Sequence, residues 1–469
     1  MPVNQIPPEI ITSIISYRLG PMPDLGQYKA LSAPVAVCKY WRNAICSFPL
    51  LWTTVSDVYN PQLRRVIFER SKTAPLHLSC LRPTNGFMED IEAHTSRIKT
   101  LYCRVMFGGG VDEPFDEMGN PNQMISDFKS SSDILETLCL YRNGARAPLE
   151  TARFGVVPAN SKVLKTLELR GVPLTIQFTQ LSTITNFSYA NSHVRSEALL
   201  DFFAANPLLE DAAVQCINIS DLPERSVVPL NHLRQLSLKM GDTFQNLLGC
   251  LRLPSTSRID LFVNSPTGGK QLWELLPPSL HDLPGIANTT LLHCKFTSEH
   301  HLILIGSNPD GGTIAVRGHP TQLFAGKPVN LQPLNLDAVR EFVLSSRTRS
   351  LSSTWCRFRP TIREMTGVRT LVVGNRIAIR DLPVKDSLPN LSEITLVTPL
   401  LSEVASFVSS ILVRTQTPGL KKIEYLEVFG SQFDVEHLVE AVKRPLEGYV
   451  DLVEIKTFQD GDDIDRFLR

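Results

Sequence analysis

Two short stretches hold residue types that could do chemistry. His293 stands beside Cys294, with His300 and His301 a few residues on, and imidazole and thiolate are the ligands a zinc ion takes. Zinc sites also need close ligand pairs, and the nine cysteines, at 38, 46, 80, 103, 139, 216, 250, 294 and 356, form no CxxC pair. A strand end followed by a polar loop is the plainer reading. Gly268-Gly269-Lys270-Gln271 is the nearest approach to a phosphate loop, but position 264 is Asn where the first glycine should stand, and Gln271 lacks the metal-binding hydroxyl. A turn before Leu272-Trp273 is expected there. No G-x-S-x-G, H-E-x-x-H or G-x-G-x-x-G motif occurs. Arg64-Arg65, and Arg340 with Arg347 and Arg349, are short basic clusters flanked by acids, read as solvated faces. The expectation is a chain that is not an enzyme and takes no cofactor or metal.

Composition narrows the partners. The 47 Lys and Arg of the 469 residues offset 47 Asp and Glu, so no global positive field draws the chain to nucleic acid or an acidic membrane. No stretch approaches the roughly 18 uncharged apolar residues of a membrane span. Met1 to Ile15 lacks a basic leader, its apolar positions broken by Pro7, Pro8 and Glu9. An odd, unclustered set of cysteines reads as reduced thiols, which predicts a cytoplasmic or nuclear protein.

The elements that would carry any site repeat. A pattern apolar-x-x-apolar-x-apolar occurs at Ile98/Leu101/Cys103, Leu135/Leu138/Leu140, Leu164/Leu167/Leu169, Ile184/Phe187/Tyr189, Leu209/Ala212/Val214 and Leu233/Leu236/Leu238. It returns at Val339/Phe342/Leu344, Val368/Leu371/Val373, Leu391/Ile394/Leu396 and Ile423/Leu426/Val428, with weaker copies around Ile259/Leu261, Leu292/Cys294 and Leu452/Ile455. Most steps between middle residues are 20 to 29, the period of leucine-rich repeats. In such a repeat, alternate strand residues point inward, the first apolar residue fills the corner before the strand, and a helix or irregular segment returns the chain. Glu197 to Asn206, Asp242 to Leu251 and Leu401 to Val413 carry apolar residues at helical spacing and are the predicted returns. The Asn expected after each strand is mostly replaced, so the array is degenerate. Two segments break the rhythm. Residues 108–130 open on three glycines and read as an insertion. Residues 265–335 are irregular, with Leu302 to Ile305 and Thr313 to Val316 flanking a turn-rich loop, which predicts a hairpin. On the concave strand face expected of such an array, Glu168, Ser237 and Thr395 are candidate positions, and exposed strand residues are usually just solvated.

Ahead of the repeats, Ile6-Pro7-Pro8-Glu9-Ile10-Ile11 opens a helix with proline in its first turn and a stripe of Ile10, Ile11, Ile14 and Ile15. After a Pro/Gly connection over residues 20–26, Pro34 is read as opening a second helix through Val35, Val37, Cys38, Trp41 and Ile45, and Phe48-Pro49-Leu50-Leu51-Trp52 follows. Asn60-Pro61 starts a further helix to Ser71, and Ala74-Pro75-Leu76-His77-Leu78 enters the first strand.

The order Ile-Pro-Pro-Glu-Ile-Ile, Val-Cys-Lys-Tyr-Trp-Arg, Phe-Pro-Leu-Leu-Trp resembles an F-box, in particular the F-box-like form that heads many fungal, basidiomycete-type proteins with degenerate leucine-rich repeats. The match spans about residues 4 to 80, with Ile6 in place of the usual leucine and a long link from Ser16 to Ala33. The resemblance implies a noncatalytic substrate-recognition adaptor of an SCF-type cullin–RING ubiquitin ligase. The helical motif would bind the SKP-type linker, and through it the cullin scaffold, while the repeats hold a protein substrate. Carried over, Pro7, Pro8, Glu9, Ile10, Ile14, Val35, Cys38 and Lys39 would lie at or near the linker contact, and Trp41 and Trp52 would fill the motif's own core. Plainer roles stay open: Ile10, Ile14 and Val35 as packing residues, and Glu9 as an acid favouring the helix dipole. The alternative is a leucine-rich-repeat scaffold with an F-box remnant and no ligase role. The expected fold class is α/β: a three-helix F-box-like module over residues 1–59, then over residues 60–469 a degenerate leucine-rich-repeat solenoid, a curved, mostly parallel sheet with helices outside.

Overall fold

The computed structural model describes residues 6–19, 27–81, 85–106, 133–143, 163–172, 174, 181–194, 196–219, 227–240, 244–263, 276–277, 283–298, 301–318, 334–346, 361–374, 384, 387–397, 399, 401–430 and 434–457. The expected insertion at 108–130 and the glycine-lysine stretch at 268–271 lie outside them. The chain divides into two compact units, Met1–Leu209 and Glu210–Arg469, and each is taken by itself.

The first unit opens on three helices that pack together: α1 (Pro8–Leu19), α2 (Gln27–Val37) and α3 (Lys39–Ser47). Pro34, expected to open the second helix, sits inside α2. A proline removes one ladder bond and crowds the carbonyl four residues back, and α2 runs only three residues beyond it. Cys38, with extended backbone (φ −162), then begins α3. The isoleucine stripe of α1 divides. Ile11 and Ile15 are buried, whereas Ile10 and Ile14 face outward. The small core is closed by Ile45, Leu51 and Trp52, whose indole Nε1 donates to the Ile45 carbonyl at 2.9 Å. Tyr28 of α2 stacks on Trp52 with ring centroids 5.5 Å apart, and its hydroxyl donates to the Thr54 carbonyl at 2.6 Å.

That carbonyl opens β1 (Thr54–Ser56), so the helices are tied directly to the strands behind them. A helix α4 (Pro61–Ser71) follows, capped by the Asn60 side chain, which accepts from the Leu63 N–H at 2.7 Å. Arg64, expected on a solvated face, is instead buried. Its guanidinium pairs with Asp90 at 2.7 Å and donates to the Tyr59 carbonyl at 2.7 Å.

Strands β2 (Leu76–Cys80), β3 (Ile98–Met106), β4 (Thr137–Asn143), β5 (Thr166–Arg170) and β6 (Asn186–Val194) join β1 in a parallel sheet, each beside its sequence neighbour. The middle residues of the repeat pattern share one register: Leu101 lies beside Leu138, Leu138 beside Leu167, and Leu167 beside Phe187. A second inward row runs Cys80, Cys103, Leu140, Leu169, Tyr189. The corner residues Ile98, Leu135, Leu164 and Ile184 are buried as the pattern requires. The return helix Ser196–Ala205 ends at Asn206, fully buried, whose side chain accepts from the Ile184 N–H at 3.2 Å and donates to the Phe202 carbonyl at 2.9 Å. Asn206→Ala strands both main-chain groups and is expected to cost about 1 to 3 kcal/mol, read as a lowered denaturant midpoint. An unchanged midpoint would show that solvent satisfies the two groups.

The second unit repeats the scheme through β7 (Asp211–Ile219), a short β8 (Val228–Pro229), β9 (Gln235–Met240), a short β10 (Leu251–Arg252) paired with β8, β11 (Arg258–Val263), β12 (Leu291–Ser298), β13 (His301–Ser307), β14 (Thr313–Gly318), β15 (Glu341–Ser346), β16 (Thr370–Val373), β17 (Glu393–Val397), β18 (Tyr425–Gly430) and β19 (Leu452–Thr457). The expected hairpin forms: β13 and β14 pair antiparallel. Its setting is not a simple excursion. Spatial order runs β11, β14, β13, β12, β15, with β14 parallel to β11 and β12 parallel to β15. The three strands are therefore inserted in reversed order, and β13 alone runs against the rest.

The inward row passes unbroken through this reversal, from Ile259 to Ile314, Gly306, Leu292, Phe342, Leu371, Ile394, Leu426 and Val453. Gly306 occurs where a side chain would meet Ile314 at 3.0 Å and Thr289 at 3.1 Å. The last repeat is shifted by two residues from expectation. Val453, not Ile455, lies beside Leu426, and Leu452 is exposed. The predicted returns shorten or lengthen at their ends: Phe244–Gly249, with Leu251 starting β10, and Leu401–Gln416.

Candidate functional surfaces

The two described candidate zinc ligands, His293 and Cys294, do not converge. Successive strand residues point to opposite faces, so Cys294 lies in the inward row while His293 faces the other side. There its Nε2 is 2.8 Å from the buried Ser345 hydroxyl. His300 and the His301 side chain lie outside the described residues. Among the described residues no group of three His, Cys, Asp or Glu could hold a metal ion. Cys139 and Cys216 are not activated thiols: burial, joined by the Glu168 charge, pushes Cys139 up to about 12, and burial pushes Cys216 up to about 12. Reactive thiols need the opposite shift.

Two surfaces remain. The first is on the N-terminal helices. Pro7, Pro8, Glu9 and Lys39 are exposed, Ile10 and Ile14 are 50% and 55% exposed, and Val35 and Cys38 are half-buried. Tyr17, 93% exposed, continues the outward line of α1. The spacing Ile10, Ile14, Tyr17 is that of one helical face, a signal present in the sequence that the isoleucine stripe obscured. Val37 and Leu50 are further exposed apolar residues of this module.

The second surface is the strand face opposite the inward rows. In the first unit Tyr102 and Tyr141 stack at 4.6 Å, with the Arg170 guanidinium 5.1 Å from the Tyr141 ring centre and paired with Glu168 at 2.7 Å. Tyrosine and arginine are the residues that most often anchor protein interfaces. In the second unit Asp260 is paired with Arg258 at 3.1 Å and Arg317 at 3.4 Å, and Arg317 lies over Phe262. Farther along, the Lys456 amino group is within ion-pair reach of Glu427 and Glu454, which hold it protonated above the ordinary lysine range. Glu168 in the first unit, and Ser237 and Thr395 in the second, each lie on the outward strand face of their own unit, in the row between its two inward ones.

In-register apolar rows, buried corners and intervening return helices define a mostly parallel, leucine-rich-repeat-like solenoid sheet in each unit. Among known proteins, no family model and no curated protein matches this chain. A leucine-rich-repeat protein of Leptospira interrogans is similar in solved structure, with 13% identity over 81% of this chain and 96% of that one, at a TM-score of 0.23. No helix among the described residues is long and apolar enough to cross a membrane.

Proposed function

We propose that the chain is a noncatalytic substrate-recognition adaptor of an SCF-type ubiquitin ligase, its N-terminal helices binding a SKP-type linker and its repeats holding a protein substrate. The observation that carries this reading is the outward half of α1. Ile10 and Ile14 are half-exposed although Ile11 and Ile15 already satisfy the module's core. Apolar residues left outward on a helix that has its own buried stripe are what a partner would cover. The gain to a ligase is effective concentration, with the chemistry done in another subunit.

Co-expression of the full chain with a SKP-type linker tests this. The wild type should co-purify, and Ile10→Arg should weaken the complex by roughly 30-fold, the size of an interface hot spot of about 2 kcal/mol, with unchanged melting because the residue is outward-facing. Absence of a complex, or one indifferent to Ile10→Arg, would leave the scaffold reading.

A further inference from the structure

The strand face of the second unit segregates charge. On β11, β14 and β12 it carries Arg258, Arg317 and Lys295, and the two arginines share the single carboxylate of Asp260. On β15, β17 and β18 it carries Glu341, Glu393 and Glu427. Lys456 serves both Glu427 and Glu454, so the acidic end is also left in surplus. Ile305 of β13 stands between Arg317 of β14 and Lys295 of β12, whereas Val343 shares β15 with Glu341 and touches Val372 of β16, both valines being buried. The Glu341 carboxyl is pushed upward by burial and by the negative charge of Glu393, which is repulsion that an added cation would relieve.

We propose that this face binds an extended protein segment of split charge, acidic over Arg258 and Arg317 and basic over Glu341 and Glu393. The proposal deepens the reading of the repeats as a protein-binding surface and is independent of the linker. Charge complementarity selects such a segment over a uniformly charged one: each end repels what the other attracts. The span fits. From β11 to β17 there are six strand spacings, about 29 Å, which about nine extended residues cross.

The test uses the full chain without any linker and two labelled synthetic peptides of about a dozen residues. They have the same composition, one with its aspartates and lysines in separate blocks, the other with the charges alternating. Fluorescence anisotropy at low salt should show the block peptide binding at least roughly tenfold tighter, with the preference shrinking as salt rises. Glu393→Lys and Arg258→Glu, both at exposed positions, should each remove that preference, and Glu393→Lys should do so at unchanged melting temperature. Equal affinity for the two peptides, no binding of either, or a preference that survives both substitutions overturns the proposal. Because no linker is present, failure here leaves the adaptor test untouched, and the reverse also holds.

Discussion

Arg414→Ala is expected to destabilise the second unit by about 3 to 5 kcal/mol, an effect as large as truncating a large core side chain. Arg414 is the largest fully buried side chain in the described structure. It reaches from the end of the helix Leu401–Gln416 into the preceding loop, and its guanidinium donates to the carbonyls of Val384, Ser387, Leu388 and Lys421 at 2.7 to 2.9 Å. Longer bonds reach the Pro389 and Leu391 carbonyls at 3.4 Å. Burial pulls the group down to about 10, so it remains a cation at neutral pH. The loop needs the clamp, since Leu388 has φ +57, a left-handed conformation that a branched side chain adopts only under constraint. Alanine removes every donor at once and leaves buried carbonyls without water. Arg414→Lys should recover part of the loss, since one ammonium supplies three donors in place of a planar fork. Urea unfolding measures both. A loss below about 1 kcal/mol for alanine would mean that the loop rearranges to satisfy itself.

Phe342→Ala is the second large effect, about 3 to 5 kcal/mol. Its ring is fully buried in the inward row between Leu292 and Leu371, at the boundary where the reversed strands rejoin the ordinary repeats. The natural comparison is Thr370→Ala, one strand away on the opposite face and half-exposed, expected to stay within about 0.5 kcal/mol. Equal losses at the two positions would show that the inward row does not carry the stability assigned to it.

Much of this architecture is legible in the residues. Leucine spacing locates ten strand cores and their corners because each repeat buries the same two positions, and the turn-rich loop after Ser307 marks the hairpin. What escapes the sequence is the choice of neighbour. Ile259 and Ile314 are 55 positions apart yet adjacent, and no periodicity announces that β14, not β12, lies beside β11. Arg64 and Arg414 look like surface cations until their carbonyl and carboxylate partners are in place. Val453 and Ile455 are equally apolar, and only register decides between them. The split of charge on the outer face is hidden for the same reason. Arg258, Lys295, Glu341 and Glu393 are scattered along the chain, and only strand order sets them on opposite sides of one surface. At the N-terminus the isoleucine stripe is evident, but which half of it faces inward depends on where α3 packs.

The reversed order of β12, β13 and β14 also sets a clock. A leucine-rich array ordinarily adds each strand to the edge just made, so growth keeps pace with the ribosome. Here β11 ends at Val263 and the strand that covers its open edge begins only at Thr313. At about 5 to 20 residues per second that edge waits roughly 3 to 10 seconds during synthesis, unpaired, for a partner not yet translated. The other edge of β11 is paired with β9, so the nascent chain must hold that half-built sheet until the hairpin arrives.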